Sequence, residues 1–176
     1  MSLRSFVDRL EERGLIKNVE ELSPEYEAPY RISEEAGRGP AIKFKLRNFP
    51  GFMGIGNILD TRVKLHMAMG TSNDVELYRK LIDAENNPGK PTVTNNAAFK
   101  PLSGVDLRRL PIPKFFEREP TNCLTSGVVL GMGDYVNASI HRLSVIDADK
   151  FVIRLVPRHL YSIYLDNKSK GKDTPV

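Results

Sequence analysis

Cysteine is almost absent from this chain of 176 residues, and Cys123 is its single instance. One thiol cannot close an internal disulfide, so a reducing, cytoplasmic compartment is expected. Long apolar runs are missing as well; none reaches the roughly 18–20 residues that cross a bilayer, and no membrane span is expected. At the N-terminus, Arg4, Asp8, Arg9, Glu11, Glu12 and Arg13 interrupt any apolar segment of the kind a signal peptide needs. A dense basic stripe is lacking too. The formal charge is only +4, and its clusters at Lys43-Lys45-Arg47, Arg108-Arg109 and Lys168-Lys170-Lys172 are short and scattered. Nucleic-acid binding generally needs a denser footprint with interleaved aromatics, so no nucleic-acid partner is expected. Walker loop, dinucleotide fingerprint, CxxC pair and HExxH are all absent. The three histidines, His66, His141 and His159, stand too far apart to form a local metal site by spacing.

What is present belongs to a folded protein: 40% hydrophobic and 27% charged residues, in a length that buries one ordinary core or a small domain plus part of a second. Leu3, Phe6, Val7 and Leu10 repeat at helical spacing up to Gly14, a helix stop. Leu15–Val19 is a short strand candidate. Ser23-Pro24 predicts the start of a second helix, a serine cap followed by proline at the first helical position. Ile42, Phe44 and Leu46 alternate with Lys43 and Lys45 in the pattern of a half-buried strand, and 52–58 can return beside it. Two helices are expected over 61–69 and 73–85, the second with Val75, Tyr78, Leu81 and Ile82 as its apolar face. Lys90 to Thr121 is rich in proline and polar residues, and Leu110-Pro111-Ile112-Pro113 must be extended. This stretch is the candidate boundary, dividing the chain into 1–110 and 111–176.

Beyond it the texture changes to Val, Ile and Leu. The stretches 125–132, 135–147 and 151–156, with tight turns between them, predict an antiparallel meander, followed by a helix over 159–167. Three strands and a helix neither close a barrel nor cover both faces of a sheet, so this second part reads as unfinished. Polar residues inside the meander stand out: Asn137, Ser139, His141 and Arg142 on one strand, and Arg158-His159 where the third strand gives way to a helix. Strand ends opening into helices present free backbone N–H groups to anions and cofactors. Taken alone these residues could equally be a turn partner, a solvated arginine and a capping or core histidine. In a regular strand Asn137, Ser139 and His141 face one way, and Ile140 and Arg142 the other. Asn137 and Arg142 can therefore share a site only where the strand bulges, ends, or lets a ligand cross its edge.

At these residues the chain resembles the UbiD-like decarboxylases. Leu3–Gly14, Pro40–Phe44, Phe49–Ile58, Thr61-Arg62, Leu110–Pro113 and Thr125–Val129 are similar, in order and spacing, to successive segments of that family. Asn137-x-x-Ile140-x-Arg142, followed by His159, is the most specific match. The resemblance implies an α+β chain: an N-terminal α/β domain, then the first strands of a flavin-binding split β-barrel, incomplete here. It implies prenylated FMN, with Mn²⁺ held by Asn137 and His159, and K⁺ as a further candidate ion. It makes Arg142 catalytic, and places Asn137, Ser139, Ile140, His141, Arg142, Arg158 and His159 around the cofactor. The reaction implied is loss of CO₂ from an α,β-unsaturated or aromatic carboxylic acid. Family members continue well beyond this length with a third, glutamate ligand and two catalytic carboxylates. The expected partner is therefore a C-terminal part or second subunit of the same enzyme, with a homo-oligomer when complete. A non-catalytic assembly subunit or fragment, binding no cofactor alone, is the alternative.

Overall fold

Ser2 opens the first helix with a capping box. Its hydroxyl accepts from the Ser5 backbone N–H, and the Ser5 hydroxyl accepts in return from the Ser2 N–H. From there the computed structural model describes residues 2–90, 92, 104 and 106–176, so part of the proline-rich stretch 90–121 lies outside the described residues. The chain divides into two compact units, one of residues 1–23 and 27–103, the other of 24–26 and 104–176. The architecture is α+β, with two three-stranded sheets, neither closed into a barrel.

In the first unit α1 (Leu3–Glu12), β1 (Ile16–Asn18), α2 (Glu27–Glu35), β2 (Ala41–Lys45), β3 (Met53–Gly56), α3 (Arg62–Met69) and α4 (Asp74–Asn86) follow in order. β2 is central, parallel to β1 and antiparallel to β3. Alternation along β2 sends Ile42 and Phe44 to one face, where they pack with Ala28 and Ile32 of α2. Ala41 points to the opposite face and meets Phe6 and Leu10 of α1 and Met67 of α3. The basic cluster here is neutralised locally, Lys43 by Glu11 and Arg47 by Glu27.

Two expectations are corrected in this unit. The second helix begins at Glu27 rather than at Ser23-Pro24. Leu22 bridges to Leu46, Glu25 bridges to Lys114, and Tyr26 adopts a left-handed φ of 61°, none of which a helix tolerates. Ser23 instead offers its N–H to the Glu27 carboxylate at 2.8 Å. The proposed apolar face of α4 is not buried: Val75, Tyr78, Leu81 and Ile82 are all exposed, and Leu77 is the buried residue. α4 packs chiefly on α3, and one inward leucine suffices for a helix docked on a single neighbour.

The second unit is the expected meander, β4 (Cys123–Met132), β5 (Val136–Val145) and β6 (Phe151–Ile153), in that order and antiparallel throughout. A short 3-10 turn at Leu107–Arg109 precedes it. α5 (His159–Ser169) lies against β4 and β5 through Leu160 and Ile163. Close approach is possible because β4 presents glycine there: a Cβ on Gly131 would stand 2.3 Å from Leu160 Cδ1. Asn167, one turn beyond Ile163, donates from Nδ2 to the Met132 carbonyl at 3.0 Å and pins the far end of the helix. Gly131→Val is expected to cost about 1–3 kcal/mol by overpacking this joint. Urea unfolding checks this; an unchanged midpoint would mean that the helix is not seated on Gly131. The opposite face of the sheet carries Val128, Leu130, Met132, Val136 and Ile140, all exposed, with Ile140 at 71%. No helix among the described residues is long and apolar enough to cross a membrane.

Candidate functional site

The site forms where two strands part. β6 pairs with β5 only from Leu143↔Ile153 to Val145↔Phe151, whereas β5 runs back to Val136. Among the described residues, 137–142 of β5 therefore keep one edge without a strand partner, and the chain after Ile153 diverges from that edge before entering α5. Between them lies a cavity of about 640 Å³. Asn137, Ser139, Ile140, His141, Arg142, Arg158 and His159 all line it. The structure thus brings together every residue singled out in the sequence, from segments more than fifteen positions apart.

The two faces of β5 contribute differently. Asn137, Ser139 and His141 share the half-buried face, opposite Gly131, Val129 and Gly127 of β4. They form a chain of hydrogen bonds: Asn137 Nδ2 donates to Ser139 Oγ at 3.1 Å, and Ser139 Oγ lies 2.8 Å from His141 Nε2. With its nitrogen turned to Ser139, the Asn137 amide oxygen has no hydrogen-bond partner among the described residues and can take a cation or donor. Ile140 and Arg142 point to the exposed face. Arg142 lines the same cavity, as do Ala138 and Ile140 of that face, and the pairing beside it is irregular. The register shifts between Leu124 and Gly127, so that Thr125 and Ser126 together oppose Arg142. A bulge of this kind twists the ladder and re-aims the side chain beside it. The condition set by alternation is met at the open edge of β5, where residues of both faces line one cavity.

Electrostatically the cavity is one-sided. Arg142, Arg154, Arg158, His141 and His159 line it, and no aspartate or glutamate does. Among the described residues none of the three arginines has a carboxylate within ion-pair distance. α5 begins at this wall, and its cap residue, Arg158, makes no side-chain cap hydrogen bond. The first N–H groups of the helix are left to a ligand, at the end of the helix that favours negative charge. The arrangement is built for anions. As a metal centre it is partial: the described residues contain no group of three or more His, Cys, Asp or Glu able to hold an ion. Asn137 and His159 supply one oxygen and one nitrogen donor, a set that suits a divalent ion such as Mn²⁺ only if further oxygens come from a bound phosphate and from other protein.

Arg154 escaped the sequence reading, although its signal was present. It lies inside the third strand expected over 151–156, which in the structure ends earlier, at Ile153.

Comparison with known proteins bears on the same residues. Residues 7–85 match the 3-octaprenyl-4-hydroxybenzoate carboxy-lyase N-terminal domain, and residues 87–176 match the Rift-related domain of the same carboxy-lyase. The chain is 33% identical over 175 residues to the anhydromevalonate phosphate decarboxylase of Aeropyrum pernix, spanning 99% of this chain and 39% of that protein. It is 34% identical to the enzyme of the same name from Methanosarcina mazei, spanning 100% of this chain and 41% of that one. An evolved dimeric form of the UbiD-class enzyme HmfF from Pelotomaculum thermopropionicum, solved in complex with prFMN, superposes with a TM-score of 0.85 at 25% identity. That match covers 97% of this chain and 42% of the other. The chain thus spans well under half the length of the relatives it matches.

Proposed function

The chain belongs to the UbiD carboxy-lyase family, and from that premise we propose that it forms the cofactor-holding part of a cytoplasmic decarboxylase using prenylated FMN and Mn²⁺. Residues 1–110 serve as its N-terminal domain and 111–176 as the start of its flavin-binding split barrel. The remainder of the enzyme, as a C-terminal part or a second subunit, supplies the missing strands and carboxylates and covers the apolar sheet face around Ile140. The complete enzyme is a homo-oligomer. One observation carries this reading: Asn137, Arg142, Arg158 and His159 converge on one cavity whose lining holds no acidic side chain.

The roles follow from the donor set. Asn137 Oδ1 and a His159 ring nitrogen hold the metal, and with it the flavin phosphate; K⁺ is a second candidate ion. Arg158 and the free N–H groups at the start of α5 face the same phosphate. Ser139, Ile140 and His141 lie along the flavin, with the Asn137–Ser139–His141 hydrogen bonds fixing the side chains that flank it. Arg142 takes the substrate carboxylate in its planar fork, orienting the bond that breaks. When bound, prenylated FMN supplies the electron sink that departure of CO₂ requires. No carboxylate among the described residues lines the cavity, and in this reading the remainder of the enzyme supplies the acid that protonates the product.

The relatives named above favour anhydromevalonate phosphate as substrate over an aromatic acid. The assembled enzyme, given prenylated FMN and Mn²⁺, is expected to release CO₂ from anhydromevalonate phosphate, while the isolated chain releases none. Turnover by the isolated chain would contradict the division of labour. Failure of the assembled enzyme on every unsaturated or aromatic acid tested would contradict the activity.

A further inference from the structure

The Asn137 amide is held at one end only. Asn137, Ser139 and His141 stand at alternate positions of β5 and so share a face. Asn137 Nδ2 donates to Ser139 Oγ at 3.1 Å, and Ser139 Oγ lies 2.8 Å from His141 Nε2. A serine hydroxyl has one proton to give and two lone pairs to accept with. With His141 protonated at Nδ1, its Nε2 takes that one proton, and Ser139 can then only accept from Asn137. This selects the NH₂ end of the amide for Ser139 and leaves the oxygen to the cavity that Asn137 lines. Support from elsewhere is thin. Across the ladder Asn137 faces Gly131 and His141 faces Gly127, neither of which has a side chain. Among the described residues Ser139 is the one hydrogen-bond partner of the Asn137 amide, and the other side of β5 is an open edge. An amide without such a partner turns about its last torsion, whose preferences are broad and two-fold. Its NH₂ end repels the cation that its oxygen would bind.

We propose that Ser139 is a positioning residue, which accepts from Asn137 Nδ2, donates to His141 Nε2, and thereby fixes the Asn137 amide with its oxygen presented to a divalent cation. The inference rests on the metal reading given above and deepens it. To the place of Ser139 along the flavin it adds a task toward Asn137. Partners that orient a metal ligand in this way are worth about 10–100-fold in metal affinity.

The test is a Mn²⁺ titration of the assembled enzyme with FMN present, read by electron paramagnetic resonance of the free ion. Ser139→Ala and Ser139→Thr are compared with wild type, and Ser139→Ala is repeated in an Asn137→Asp background. With Asn137 in place, Ser139→Ala is expected to weaken Mn²⁺ binding about 10-fold, and Ser139→Thr, which keeps the hydroxyl, to restore it. In Asn137→Asp the two carboxylate oxygens are equivalent and no wrong orientation exists, so Ser139→Ala should there change little. An equal loss in both backgrounds overturns the proposal, because a disturbed strand or a lost flavin contact acts whatever stands at position 137. Wild-type affinity in Ser139→Ala, or no recovery in Ser139→Thr, overturns it too. Asn137→Ala separates this from the wider reading. If it loses Mn²⁺ affinity while Ser139→Ala keeps it, the metal site stands and the positioning role falls. If it keeps full affinity, Asn137 is no ligand and both fall.

Discussion

Arg142→Ala in the assembled enzyme is expected to lower kcat/KM by about 10²–10³-fold, the loss seen when a preorganised donor to reacting charge is removed. Metal binding should survive, because Asn137 and His159, the proposed ligands, are untouched. Arg142→Lys should rescue little, since a single ammonium does not reproduce the two parallel N–H donors of a guanidinium. Steady-state kinetics with a parallel FMN fluorescence titration separates the outcomes. Catalysis within tenfold of wild type would remove Arg142 from the substrate, and a matching loss of flavin affinity would move it to the cofactor.

The second large effect concerns the fold of the first unit. Lys64, in α3, is fully buried. Its ammonium donates to the carbonyls of Gly39 at 2.6 Å and Asn57 at 2.7 Å and pairs with Asp60. The Asp60 carboxylate also accepts the Gly37 N–H at 2.7 Å. One cation thus ties the turn after α2, the end of β3 and the start of α3. Lys64→Met keeps the volume and strands two carbonyls and a carboxylate. Breaking a buried pair this way costs about 3–5 kcal/mol, a large share of the roughly 5–15 kcal/mol that holds a domain folded. Urea unfolding reads this directly, and a loss below about 1 kcal/mol, the scale of an exposed pair, would contradict it.

The pH dependence has a definite sign. Burial pushes the Asp60 carboxyl up, but the Lys64 ammonium and the Gly37 N–H outweigh it and hold its pKa below the ordinary value of 3.8. A carboxyl depressed in the folded state contributes stability that is full above its unfolded pKa and lost as pH falls through the folded one. In Lys64→Met both contributions of the ammonium are lost while burial and the backbone N–H groups remain, so the acid sensitivity of Asp60 shrinks. The gap between wild type and variant should therefore narrow below about pH 4.

Much of this was legible in the sequence, for identifiable reasons. The meander was readable because β-branched runs and tight turns at Gly133-Asp134 and Asp147–Lys150 set both period and register. α3 was readable because Thr61 caps it and Gly70 ends it in a left-handed conformation. The cavity residues were found through polar side chains placed inside an apolar strand, and their spacing carried the family resemblance. What escaped depends on tertiary placement. Tyr26 takes a left-handed conformation directly after Leu22 and Glu25, each fixed by an isolated bridge to a distant residue, which no local propensity records. Lys64, between Val63 and Leu65, reads as a solvated charge, and only the convergence of two carbonyls and Asp60 explains why it is buried while Val63 is exposed. The exposed stripe on α4 shows the converse, a helical apolar period with one small neighbour to bury against.

The most direct test of the central claim, that Asn137 and His159 jointly hold a metal anchoring the flavin phosphate, is FMN affinity with and without Mn²⁺ in wild type and His159→Ala. Fluorescence quenching in the assembled enzyme reads it without turnover. Mn²⁺ is expected to tighten FMN binding in wild type, and His159→Ala should abolish that gain while keeping the metal-free affinity close to wild type. An equal Mn²⁺-dependent gain in His159→Ala would contradict the site, leaving the convergence of these side chains a feature of the fold and not of its chemistry.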